Sequence, residues 1–221
     1  MLTIYNRKDR AMKVANREYR NMAYNIAHEV RDGDGEPSYI VEGYASTFEP
    51  YKLIEIDGED YNERIEPTAF DEADLSDVVY RIDHEGRVYA RSSAGTIKLE
   101  IDEHGLHQIT DLSRTRAAQE HFEDIRAGNY PQMSFAFTVD ADHYEAETRT
   151  RVIDRIKKVF DISAVSFPAN PTTELHVRDY FDGVIEAEKA AEAERLAAEE
   201  AERRDSERRA EISKKIKEVI K

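Results

Sequence analysis

No cysteine occurs among the 221 residues. That excludes disulfides, thiolate zinc sites and cysteine nucleophiles together, and it fits a cytosolic protein. Long apolar runs are missing as well. None approaches the roughly 18 to 20 residues of a membrane span. The opening residues, Met1-Leu2-Thr3-Ile4-Tyr5-Asn6-Arg7-Lys8, lack the apolar stretch of a signal peptide. Positive charge is scarce, with 32 Lys and Arg against 47 Asp and Glu and a formal net charge of −15. Phosphate affinity is supplied largely by Lys and Arg, so this balance speaks against a nucleic-acid partner. There is no H-E-x-x-H helix, P-loop or dinucleotide fingerprint, and no G-x-S-x-G elbow.

What remains falls into three parts. Residues 1–36 read as a locally basic arm carrying Arg7, Lys8, Arg10, Lys13, Arg17 and Arg20, and a removable pro-segment is the sharper reading of it. Met12, Ala15, Tyr19, Met22 and Ile26 recur at three- and four-residue spacing, which predicts an amphipathic helix in part of it. Asp32-Gly33-Asp34-Gly35-Glu36-Pro37 closes the arm with turn chemistry. Residues 37–180 read as the folded domain. Strand candidates are Tyr39-Ile40-Val41-Glu42-Gly43-Tyr44-Ala45, residues 77–82, 96–101, 106–110, 133–139, 151–156 and 160–167. Residues 55–60 look rich in turns. Residues 115–127 predict a helix capped by Gly128. The fold class expected is α+β, mainly β, with a small barrel or sandwich core decorated by helices. Residues 181–221 are dominated by Ala, Glu, Arg and Lys, with neither Gly nor Pro after Gly183. They predict one long charged helix, ending in an apolar stripe of Ile212, Ile216, Val219 and Ile220 suited to docking.

Two strands carry a polar group in an apolar setting. Ser134 stands within Gln132-Met133-Ser134-Phe135-Ala136-Phe137, and alternation puts Ser134, Ala136 and Thr138 on a small-residue face with room for a substrate backbone. Asp161 stands within Val159-Phe160-Asp161-Ile162, where desolvation makes an unpartnered carboxylate costly. A third apolar run leads into Asp83-His84-Glu85-Gly86. Serine, histidine and acid are the parts of a nucleophilic hydrolase. Asp83 is the rival of Asp161 as orienting acid, although neighbours on extended chain diverge. His104 and His107 flank a hairpin turn and are the candidates for a metal-dependent hydrolase. His28, His121, His143 and His176 read as surface positions.

These pieces stand in a familiar order. Residues 42–48, Ile65-Glu66-Pro67-Thr68-Ala69-Phe70, Ile82-Asp83-His84-Glu85, Gly105-Leu106, residues 127–137 and residues 161–171 together resemble the prohead proteases of tailed bacteriophages, relatives of the herpesvirus assemblin proteases. Thr68 and Ala136 replace glycines usual in that family, and Asp161 stands where Glu is common. The resemblance implies a closed β-barrel ringed by helices. It implies Ser134 as nucleophile, His84 as general base and then acid, and Asp161 as third member of the triad. It implies no cofactor and no metal. The implied substrate is scaffold protein, or the scaffold-like extension of the major capsid protein, inside an immature capsid in the host cytoplasm. Self-association, as a dimer, is expected by the same likeness, and the charged tail is expected to dock on scaffold. The competing reading is a non-catalytic scaffold or assembly protein that retains the protease fold.

Overall fold

The structure, a computed structural model, describes residues 17–22, 27–29, 39–166 and 171–219. The chain divides into two compact units, residues 1–175 and 176–221. The first is an α+β unit in which strands predominate. Its strands are β1 (Glu18–Met22), β2 (Ala27–Glu29), β3 (Ile40–Thr47), β4 (Tyr51–Ile56), β5 (Glu59–Ile65), β6 (Val79–Ile82), β7 (Glu85–Arg91), β8 (Ile97–Ile101), β9 (Gly105–Asp111), β10 (Gln132–Glu145) and β11 (Thr150–Val165). One helix, α1 (Arg116–Arg126), separates β9 from β10.

The strands form a seven-stranded and a four-stranded sheet. In the larger one the order runs β1-β10-β11-β5-β4. The length of β11 lets one of its edges serve two parallel partners. Residues Thr150 to Ile153 pair with β5, and Asp161 to Ala164 pair with β6, which in turn pairs with β7. The smaller sheet runs β2-β3-β9-β8. Among the described residues the ladders do not join the two sheets into one closed ring.

The core follows from alternation. Met133, Phe135 and Phe137 on β10 are buried with Ile162 and Ala164 on β11, Tyr80 on β6 and Phe122 and Ile125 on α1. The Phe135 and Phe137 rings stack with centroids 4.4 Å apart. Each Met, Phe or Ile side chain among them contributes about 1.5–3 kcal/mol when fully buried. Helix α1 begins where the sequence predicts. Thr115 is its N-cap, its hydroxyl accepting from the Ala118 N–H at 3.2 Å, and Gly128 follows at φ +83°. In the β8–β9 hairpin the Asp102 carboxylate accepts from the His104 and Gly105 N–H groups. Gly105 has to be glycine, because a Cβ there would lie 2.0 Å from the Ser46 carbonyl oxygen.

Several elements differ from the sequence reading. Residues 55–60 do hold a turn, at Asp57 and Gly58 with φ +54° and +84°, but it is the two-residue tip of a hairpin whose strands, β4 and β5, the sequence reading lacked. The expected separate strands at 133–139, 151–156 and 160–167 are parts of one long hairpin, β10–β11. Register shifts near Ala136, Thr138, Val139 and Ala141 break its alternation, and its charged solvent face breaks its apolar pattern. The helix expected near Tyr19 and Met22 is instead strand β1. Its Glu18 and Arg20 alternate into buried ion pairs, so no apolar pattern marks it. The turn at residues 32–37, together with Met12, Ala15, Ile26 and residues 167–170, lies outside the described residues.

The charged segment is helical. Helix α2 runs over Pro171–Val219 and carries i,i+4 pairs Arg195–Glu199, Arg204–Glu200 and Arg209–Asp205. Of the terminal stripe, Ile212 is about half exposed. The side chains of Ile216 and Val219, and Ile220 altogether, lie outside the described residues.

Candidate active site

The site is assembled on β10, β11 and the β6–β7 turn. Ser134 pairs with Ser163 across the β10–β11 ladder, and Ala136 pairs with Asp161. Paired residues share a face, so all four point to the same side of the sheet. Met133, Phe135 and Ile162 fill the other side as core. Ser134 is 0% and Asp161 2% exposed.

His84 reaches this face from a two-residue turn. Ile82 pairs with Glu85, which leaves only Asp83 and His84 between the strands. Both have positive φ, +46° and +61°. Such a conformation is uncommon for residues other than glycine, and it persists where the surroundings hold it. Here the turn is tied at four points to β11 and to Ser166 just beyond it. The Asp83 N–H donates to the Ala164 carbonyl at 3.0 Å. The Asp83 carboxylate accepts from the Ser166 N–H at 2.9 Å and from its hydroxyl at 3.0 Å. The His84 N–H donates to Ser163 Oγ at 3.2 Å.

The imidazole then spans the face. His84 Nδ1 lies 2.5 Å from Asp161 Oδ1, and Nε2 lies 2.6 Å from Ser134 Oγ. An ionised carboxylate only accepts, so the Nδ1–H donates to Asp161 and the Nε2 lone pair is left to accept from the Ser134 hydroxyl. The Ser163 hydroxyl donates to the same Asp161 Oδ1 at 3.0 Å. The Asp161 carboxylate thus has two donors, which answers the cost of burying it. The shorter side chain of Asp161 reaches the imidazole without difficulty. Neither Thr68 nor Ala136 has positive φ, so a Cβ is accommodated where glycine is usual. The small-residue face expected to receive a substrate backbone is occupied, beside Ser134, by the imidazole.

The other sequence candidates lie apart. Asp83 turns to Ser166 and not to His84. His107 Nε2 is 3.1 Å from Glu42, and His104 is exposed beside Glu103. Among the described residues no group of three or more His, Cys, Asp or Glu converges as a metal site. His143 is on the surface, with Nδ1 2.8 Å from Asp154. The side chains of His28 and His176 lie outside the described residues.

His121 is a correction. It is 2% exposed, inside a cluster of Tyr80, Tyr89 and Tyr130 rings 4.8–5.9 Å from its own. Among the described residues neither ring nitrogen has a hydrogen-bond partner, nor has the buried Tyr80 hydroxyl. Burial lowers its pKa from an ordinary 6.5 to about 4, against the opposing pull of Asp124 and Asp83. Its place on the apolar face of α1 was readable, because Ala118, His121, Phe122 and Ile125 follow helical spacing.

Strand β1 completes the neighbourhood, with Asn21 paired to Ser134 and Tyr19 to Ala136. The sequence reading gave this strand no place near the site.

The family model for the caudovirus prohead serine protease matches residues 26–183. No curated protein and no solved structure matches the chain. The match spans well over half of the chain, and the chain belongs to the caudovirus prohead serine protease family.

Proposed function

We propose that this member of the prohead serine protease family is a serine endopeptidase of capsid maturation that works through Ser134, His84 and Asp161. The observation that carries this reading is the continuous relay from Asp161 Oδ1 through His84 to Ser134 Oγ, at 2.5 and 2.6 Å. Ser134 Oγ attacks the scissile carbonyl while its proton passes to His84 Nε2. The imidazolium that forms is stabilised by the Asp161 carboxylate. It then gives the proton to the leaving amine, and an acyl-enzyme remains on Ser134. Water, deprotonated by the same imidazole, attacks the ester, and Ser134 recovers its proton. Because Ser134 is 0% exposed, a scissile carbonyl reaches Oγ only after the surface above it yields.

The substrates in this reading are scaffold protein or the scaffold-like extension of the major capsid protein, cut inside the immature capsid in the host cytoplasm. Family membership supports that choice. Kinship with herpesvirus assemblins, a closed barrel and a dimer belong to the same proposal. For the barrel, the supporting observation is that Cα atoms of β1 and β10, in one sheet, come within 8 Å of β3 in the other. Helix α2 is exposed and charge-paired over residues 186–210, which suits mixing with scaffold helices. Loss of packaging into procapsids on deleting residues 184–221 is expected, and unchanged packaging would remove that part.

The test of the whole reading is co-expression with the cognate capsid and scaffold proteins, wild type beside Ser134→Ala, followed by intact-mass measurement. Discrete truncation of a partner with wild type alone is expected. Identical uncut masses in both would shift the weight to a non-catalytic assembly role.

A further inference from the structure

Strand β1 lies before the span matched by the family model, yet it is built into the site. It pairs with β10 over five residues, from Glu18 opposite Phe137 to Met22 opposite Met133. Paired residues share a face, so Tyr19, opposite Ala136, is on the side of Ser134, His84 and Asp161. Its ring meets the His84 imidazole edge-on, with centroids 4.6 Å apart and planes at 65°.

The register that puts Tyr19 there is pinned from the other face. Arg20 is 2% exposed and Glu63 0%, and the Arg20 Nη2 donates to Glu63 Oε2 at 2.6 Å. Glu18 holds Arg151 at 2.6 and 3.0 Å. A slip of one residue would bring Arg20 to the outer face and push Tyr19 among buried carboxylates. Outside, the Arg17 guanidinium covers the Phe160 ring at 3.9 Å.

We propose that Tyr19 is a positioning residue for His84, which makes β1 a working part of the active site; this rests on the reading of His84 as general base. His84 sits in a two-residue turn, and its ring is held in plane by bonds at its two nitrogens. During acylation the bond to Ser134 is surrendered as the proton moves to Nε2, leaving Asp161 as the remaining anchor. Tyr19 then limits the swing of the ring. The contact therefore acts on kcat rather than on substrate affinity.

The test uses the full chain as wild type, Tyr19→Leu and Tyr19→Phe, each checked for folding by thermal unfolding, with Tyr19→Met as a second apolar replacement. Tyr19→Leu is expected to lower kcat roughly tenfold to a hundredfold, the scale of a small misplacement of a catalytic group. KM should stay within about twofold and Tyr19→Phe should restore most of the loss. Unchanged kcat in Tyr19→Leu, a change confined to KM, or equal loss in Tyr19→Phe would overturn the proposal. A second readout does not need cleavage. In the Ser134→Ala background, the low-field NMR signal of the His84 Nδ1–H should be sharp with Tyr19 and lost to solvent exchange with Tyr19→Leu. An unchanged signal would overturn the proposal even were wild type to cleave nothing, an outcome that counts against the peptidase reading instead.

Discussion

Ala136 stands directly across the ladder from Asp161, and this pairing makes room for the imidazole. The ring lies over the sheet between Asp161 and Ser134, above a position whose side chain is a single methyl. A larger residue would compete with it for the same space. Ala136→Leu is expected to displace His84 and reduce peptidase activity by roughly 10³-fold or more, since the relay acts as a unit. The cost in stability should be about 1–3 kcal/mol, as for overpacking elsewhere. Ala136→Gly should keep activity. Steady-state rates beside urea unfolding of each variant separate the two effects.

Asp83 adjoins His84 in sequence and Asp161 meets it only through the fold, at 2.5 Å, and the two should behave differently. Asp161→Asn keeps the shape but offers a donor where the Nδ1–H must donate, and so favours the wrong tautomer. A loss of about 10⁴-fold in kcat is expected. Asp83→Asn retains an acceptor for the Ser166 N–H and should cost less than about tenfold, as for an exposed hydrogen bond. Comparable losses in the two would remove Asp161 from its assigned role.

Arg20 anchors β1 through a buried ion pair. Arg20→Met leaves Glu63 buried with Tyr51 and Arg151 but without its main countercharge. The expected loss is about 3 kcal/mol, the range for breaking one side of a buried pair. Adding Glu63→Gln should restore most of it, because the uncompensated charge is removed. Urea unfolding of the single and double variants measures this. Additive losses would contradict it.

Acid should act through His121 first. The folded protein holds it neutral down to about pH 4, whereas the unfolded chain protonates it near 6.5. The unfolded state thus binds the extra proton as pH falls between these values, and stability falls with it. The full effect is on the order of 3 kcal/mol. Burial raises the pKa of Glu18, but Arg20 and Arg151 more than offset this and hold it at about 2, so its contribution is lost only below about pH 4.5. Unfolding curves at pH 7 and 4.5 should differ for wild type and converge for His121→Phe. An equal acid loss in both proteins would exclude His121 as its source.

Ser134 and Asp161 were legible because each interrupts an apolar strand, where a buried hydroxyl or carboxylate needs a reason to be there, and His84 because it ends a third apolar run. The chain's alternation also gave β8, β9 and the inner face of β10. Other features left less trace. The positive-φ turn at Asp83 and His84 carries neither of the Asn-Gly or Asp-Gly pairs that usually mark it. It depends on bonds to Ala164, Ser163 and Ser166, some eighty residues away. Strand β1 reads as a basic arm because its inner face is filled by Glu18 and Arg20, whose partners Glu63 and Arg151 are known only from tertiary structure. His121 looked like a surface residue because Glu120, Glu123 and Asp124 surround it in sequence while helical geometry turns it inward.

The most direct measurement is covalent labelling of the full chain with a fluorophosphonate, read by intact mass and peptide mapping. Attack by Ser134 Oγ on phosphorus expels fluoride, and His84 takes the serine proton, so the reaction reports the activated nucleophile itself. One phosphonyl group on Ser134 is expected in wild type, with none in Ser134→Ala or His84→Ala. Absence of label in wild type, or the same label in Ser134→Ala, would contradict Ser134 as the nucleophile.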